Sequence, residues 1–308
     1  MISIKNIIFI AKLVLFILIM FVFMFLVIMP QYSTGYNAAL IDKYDRLVSL
    51  DEPKIILVGD SSVAYGFDSV RIEQAFGMPV VNFGLNRDLG QQFYTNLIKP
   101  HIRENDIIVI APAGFDDYAV SMRDPVVTLV TLENNFHLWR GVPLREYYTL
   151  LHTFPIYLNR AAWHLLTNSG NQPVQGHNSR TAFNEQGDIV YPRPNYVDYT
   201  GYYGIEFDGD QLSEHMTKYW NDYNEFVISR GASLFMSSPP ILDSSIRIDL
   251  DLLQRQLDED LNFPMISRLE DYAYPVHYFL DTYAHLNDSG VDVRTEQFIF
   301  DLSNALAN

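Results

Sequence analysis

Four short segments of this 308-residue chain hold residue types that together could carry out acyl transfer. Gly59-Asp60-Ser61-Ser62 places a serine directly after a hydrophobic run, where a tight strand-to-helix turn would present its hydroxyl and a backbone N–H. Asn82-Phe83-Gly84-Leu85-Asn86 offers a glycine that admits close backbone approach, so that a further N–H can face an oxyanion. Gly114-Phe115-Asp116-Asp117 is a third turn of the same kind. Asp281-Thr282-Tyr283-Ala284-His285-Leu286-Asn287 supplies a histidine able to accept the serine proton and a carboxylate able to fix its tautomer. The chain has no cysteine, which removes thiolate nucleophiles, disulfides and thiolate metal sites. The other histidines are scattered without ligand spacing, so the sequence points to no metal and no cofactor.

These segments must be brought together by the elements around them. KIILVGD, PVVNFG and DIIVIAP are short apolar runs closed by turn residues, the pattern of buried parallel strands. Helices over Asp68–Phe76 and Asp88–His101 alternate with them, and Gly77-Met78-Pro79 breaks the first. The alternation lapses over about 118–210, where helical pieces at Pro143–Leu151 and Pro155–Leu166 precede a polar, tyrosine-rich loop. It resumes with a helix at Gln211–Arg230, the strand ASLFMSS, and helices near Asp249–Leu261 and Ser289–Ala307. This order predicts one α/β domain over 53–308: a three-layer, doubly wound parallel sheet with a long insertion. In such sheets ligands bind at the carboxyl ends of the strands, where all four segments fall.

The motifs GDSS and NFG, with a late Asp…His followed by Leu-Asn, resemble the SGNH (GDSL) hydrolase superfamily, over about 54–117 and 232–302. The nearest likeness is to membrane-anchored, cell-surface members akin to lipoteichoic-acid D-alanylation and polysaccharide O-acetylation proteins. The resemblance implies a flavodoxin-like fold with Ser61 as nucleophile, His285 as general base and Asp281 as its orienting carboxylate. Ser61 N–H and Gly84 N–H would form part of the oxyanion hole. The family usually has two residues between Asp and His, whereas three stand here, and its third segment usually reads G-x-N-D where this chain has GFDD. Asp116 thus occupies the place of an asparagine donor, and Asn82 or Asn86 is the candidate substitute. The activity implied is a serine-dependent acyl hydrolase or acyltransferase working on an acylated cell-envelope polysaccharide or related polymer. A multispanning acyl-export protein is a candidate partner. The two departures motivate the alternative of an inactive, membrane-anchored glycan-binding or assembly protein. Tyr191, Tyr196, Tyr199, Tyr202 and Tyr203 crowd the insertion, as sugar-stacking faces or as loop packing.

From Leu13 to Met29 every residue is apolar, and Ile7–Ala11 extend the run behind Lys12. Residues 7–29 suffice for a transmembrane anchor, which Pro30 ends, and the run is longer than a signal-peptide core. Residues 30–52 read as a juxtamembrane stalk with a short helix around Asn37–Val48. Lys5 and Lys12 favour a cytoplasmic N-terminus and an extracytoplasmic domain. The net charge of −16 argues against nucleic acid as a partner.

Overall fold

The computed structural model of the protein describes residues 4–115, 120–194 and 213–307. Helix α1 (Ile4–Phe23) is continued by a wider π-helical turn over Met24–Ile28. The 25 residues Ile4–Ile28 contain a window of mean hydropathy 3.1 that is 0% buried in the protein. By length and composition this helix could cross a membrane, since 25 residues at the α-helical rise cover about 37 Å.

The segment expected to be a stalk is instead built into the domain. Met29 is already fully buried, and a 3₁₀ turn over Tyr36–Ala38 leads into α2 (Ala39–Ser49). Ala39, Leu40, Lys43, Tyr44 and Leu47 recur at helical spacing and form its buried face. An amphipathic helix with such a stripe is stabilised by covering it, and the nearest cover is the sheet.

β1 (Ile55–Gly59) feeds a one-turn helix α3 (Ser61–Ala64) and then α4 (Ser69–Phe76), which Asp68 caps and Gly77 ends at φ 64°. β2 (Val80–Asn82) is followed by a 3₁₀ turn at Arg87–Leu89 and by α5 (Gln91–Ile98). β3 (Ile107–Ala111) precedes the insertion, which contributes α6 (Pro125–Leu132) and α7 (Tyr147–Leu166). α8 (Glu214–Ser229) leads into β4 (Ser233–Met236). Then come β5 (Ile241–Leu242), α9 (Leu250–Asp260), β6 (Ala273–Tyr274) and the long final helix α10 (Asp288–Ala307).

The strands pair in parallel in the order β2-β1-β3-β4, with β5 and β6 forming a separate parallel pair. Leu57 stands opposite Asn82 on one side and Val109 on the other, and Val109 opposite Phe235. Alternate residues serve two cores. Ile56, Val58, Ile108 and Ile110 face the larger one with α2, α5 and α8, while Ile55, Leu57, Ile107 and Val109 face a smaller one closed by Ile72, Phe298 and Leu302. Burial on both faces explains why these strands read as unbroken apolar runs.

The two helical pieces expected on either side of Pro155 are one helix, α7, with Pro155 inside it. Proline removes one intrahelical hydrogen bond and ordinarily breaks a helix. Here buried Leu150, Tyr157 and Ala161 anchor the turns before and after it, so packing outweighs the local cost.

Candidate active site

Ser61 is the first residue of α3, directly beyond the carboxyl end of the central strand β1. Asp60 builds this turn with both carboxylate oxygens. Oδ1 accepts from Ser62 N–H at 2.8 Å, capping α3, and Oδ2 accepts from Ala113 N–H at 3.1 Å, tying the turn to the end of β3. Ser61 is half-buried, and neither its N–H nor its Oγ is taken up by a hydrogen bond among the described residues. The turn sits tightly on the sheet. A Cβ on Gly59 would lie 2.2 Å from Val63 Cγ2, and one on Gly84 would lie 2.5 Å from Val63 Cβ and 2.7 Å from Asp60 O. Both glycines thus serve close approach.

Beneath the turn lies Arg294 of α10, which is fully buried. Its Nη1 donates to Ser62 O at 2.7 Å and its Nη2 to Ser238 O at 3.1 Å, and the guanidinium lies 4.1 Å from the Phe67 ring centroid. Burial pulls its pKa down to about 10, against the opposing pull of Tyr274, Tyr272 and Asp60. It stays charged at neutral pH and fixes the carbonyl side of the serine turn from the last helix.

The segment 279–286 closes into a small loop. Phe279 and Leu286 pair as an antiparallel bridge, Leu280 N–H donates to His285 O, and Thr282 Oγ1 accepts from Ala284 and His285 N–H. This closure brings Asp281 Oδ1 to 2.7 Å from His285 Nδ1, although three residues separate them in the chain. Burial pushes the Asp281 carboxyl up, but the hydrogen bond from His285 and the charges of His285 and His177 outweigh it and hold the pKa below the ordinary value. The His285 ring stacks on Tyr65 with centroids 4.1 Å apart and planes 10° apart. Tyr65 N–H in turn donates to Ser61 O at 2.9 Å, so the His285 ring rests on the same helical turn that begins with Ser61. No hydrogen bond joins Ser61 Oγ to His285 in this structure.

Three of the expected oxyanion donors, on Gly84, Asn82 and Asn86, are engaged inside the protein. Gly84 N–H donates to Asn82 Oδ1 at 3.0 Å. Asn82 Nδ2 donates to Val63 O at 3.0 Å and to Asp188 Oδ1 at 2.8 Å. Asn86 Oδ1 accepts from Asp88 N–H, its Nδ2 donates to Asn37 Oδ1, and its own N–H donates to Tyr94 Oη. Of the N–H and amide donors expected from the sequence, Ser61 N–H is the one without a hydrogen-bond partner among the described residues. Asp116 lies outside the described residues, as do Tyr196, Tyr199, Tyr202 and Tyr203. Tyr191 is described, with its ring 4.9 Å from that of His177, which lies 6.0 Å from Tyr65.

Several residues at the site carried no recognisable signal in the sequence. Arg87 Nη1 donates to Tyr283 Oη at 3.2 Å, bridging the second and fourth segments, and Arg87 also borders Gly114. Asp188, from the insertion, accepts from Ser69 Oγ and N–H and from Asn82. Lys43 of α2 donates to Asn82 O at 2.9 Å and to Gly187 O, and burial drags its pKa down to about 7. The Asn82 strand end is thus clamped from below by residues more than a hundred positions apart. No protein-family model, curated protein or solved structure matches this chain.

Proposed function

We propose that the protein is a membrane-anchored serine acyl hydrolase or acyltransferase of SGNH type, acting on an acylated cell-envelope polysaccharide or related polymer from the outer side of the membrane. The observation that carries the chemistry is the placement of His285, held by Asp281 at 2.7 Å and stacked on Tyr65, one helical turn from Ser61. The parallel sheet order, with the serine turn where β1 meets β3, is the place where doubly wound sheets bind ligands. The polymeric substrate rests on the family resemblance and on the apolar helix Ile4–Ile28.

In this reading Ser61 Oγ attacks the ester carbonyl carbon while His285 Nε2 takes the hydroxyl proton. Ser61 N–H, at the positive end of α3, donates to the tetrahedral oxyanion. Collapse breaks the carbonyl–alkoxide bond, His285 returns the proton to the departing alcohol, and an acyl-serine remains. Water or a sugar hydroxyl then attacks that ester with His285 again as base, giving hydrolysis or transfer. Asp281 keeps the proton on Nδ1, leaving Nε2 free to accept.

A second reading is a non-catalytic glycan-binding or assembly protein. Its support is the engagement of Gly84 N–H by Asn82 and the lack of a serine–histidine hydrogen bond. Hydrolysis of p-nitrophenyl acetate by the full chain in detergent separates the two. The enzyme reading expects turnover that falls about a thousandfold or more in Ser61→Ala and in His285→Ala. Equal, negligible rates for wild type and Ser61→Ala on activated esters, with no acyl-serine at Ser61 by mass spectrometry, would overturn it.

A further inference from the structure

Helix α7 buries Leu150, Tyr157 and Ala161 and leaves an unusual face outside. Tyr148 is 70% exposed, Leu151 72%, Trp163 65% and Leu166 80%. Each alone is unremarkable on a soluble surface, but here they share one side of a single helix. The charge pattern is the second observation. The chain carries 37 acidic residues and a net charge of −16, yet residues 147–184 include no Asp or Glu.

The third observation is position. Phe25, in the last turns of the apolar helix, has its ring centroid 5.4 Å from that of Phe136. One residue beyond Ile28, Met29 O accepts from Tyr157 Oη of α7 at 3.0 Å, and Tyr32 packs its ring 5.1 Å from His164. Glu133, just after α6, accepts from Gln31 and Tyr32 N–H at 2.7 and 3.0 Å. No spacer therefore separates the apolar helix from α7. The polar layer on each side of a bilayer core is only about 5–8 Å deep, so a helix fastened to the end of the spanning segment lies within or beside that layer.

We infer that α7 is an interfacial helix that lies on the bilayer crossed by α1, with Tyr148, Leu151, Trp163 and Leu166 turned to lipid. This rests on the reading of Ile4–Ile28 as a membrane span. An amphipathic helix with aromatic residues on its apolar side and no acidic groups is suited to the headgroup boundary. The rest of the acidic domain is repelled by anionic headgroups, so α7 decides which side of the domain faces the membrane. The serine turn is thereby held at a fixed height and orientation above the lipid.

The test uses the full chain reconstituted into phosphatidylcholine vesicles with and without dibrominated acyl chains. Of the three tryptophans Trp220 is fully buried, Trp139 is packed part-buried against the core and Trp163 is 65% exposed. Trp163 is therefore the exposed reporter, and its loss, with Trp139 still present, isolates its share of the quenching. Bromination near the headgroup end of the chain should lower tryptophan emission, and Trp163→Phe should reduce that quenching by about twofold or more. Because the chain has no cysteine, single-cysteine nitroxide labels at Leu151 and Leu166 give a second reading, with exposed Ile228 on α8 as the control. The two α7 labels should favour oxygen over a water-soluble nickel relaxant, relative to the Ile228 label. Labels at all three sites behaving alike, in protein that co-floats with vesicles, overturns the inference and leaves the anchor standing. Shielding that follows protein density instead of lipid bromination overturns it in favour of self-association. Loss of co-flotation removes the anchor reading and this inference together.

Discussion

At the residue scale, the proposed chemistry turns on which groups are free and which are spent. Ser61 keeps both its hydroxyl and its N–H available because Asp60 caps the next residue, Ser62. His285 is oriented by one short bond to Asp281, whose pKa is held low. Its carboxylate therefore stays ionised through pH 5, and an acid limb in activity above that belongs to another group. Asp281→Asn keeps the shape but loses the preference for a proton on Nδ1. It should lower kcat by about a hundredfold or more with little change in KM, read by steady-state kinetics. Gly84 tests the opposite property. A methyl there would meet Val63, Asp60 O and Ala64 N, all within 2.8 Å. Gly84→Ala should cost about 2–4 kcal/mol in urea unfolding and displace α3.

At the element scale, distant parts of the chain fix the serine turn. The last helix reaches under α3 through Arg294, whose fork spans two carbonyls on different segments. Lysine has the charge but not the fork. Arg294→Lys should lose about 2 kcal/mol of stability and reduce kcat more than it raises KM, because a buried carbonyl is left unpaired and the turn loosens. Denaturant unfolding beside kinetics on the same preparation checks both halves. A structural role alone would lower stability and leave the kcat of the folded fraction unchanged. α2 plays a similar part from the other end, where Lys43 holds the β2 terminus that in turn holds Gly84.

At the scale of the whole molecule, one of the contacts that join the end of the apolar helix to the domain is the Glu133 carboxylate. Burial raises the Glu133 pKa to about 7, against the pull of the Gln31 and Tyr32 N–H groups. A carboxyl with a raised folded pKa stabilises the fold most at low pH. That contribution is lost as pH climbs from the ordinary value of about 4.3 through 7. The detergent-solubilised chain should therefore unfold at lower urea at pH 8 than at pH 5.5. Glu133→Gln should remove on the order of 1–2 kcal/mol of that difference while keeping an acceptor for both amides. An unchanged pH slope in the variant would assign the slope to other groups.

The sequence by itself determined what repeats along the chain or lies between neighbours. The strands around Ile55, Val80, Ile107 and Ser233 were legible because burial on both faces leaves an unbroken apolar run, and α4 because Asp68 and Gly77 mark its ends. The apolar helix was legible for the same kind of reason. The tertiary structure decided what depends on contacts across long separations. It drew the presumed stalk into the core, because the stripe on α2 needed cover. It carried α7 through Pro155, because packing on either side outweighed one lost hydrogen bond. It closed the three-residue gap between Asp281 and His285 through the Thr282 turn. It also turned Gly84 N–H inward to Asn82, an arrangement set by Lys43, Asp188 and Val63 and so invisible to any local pattern.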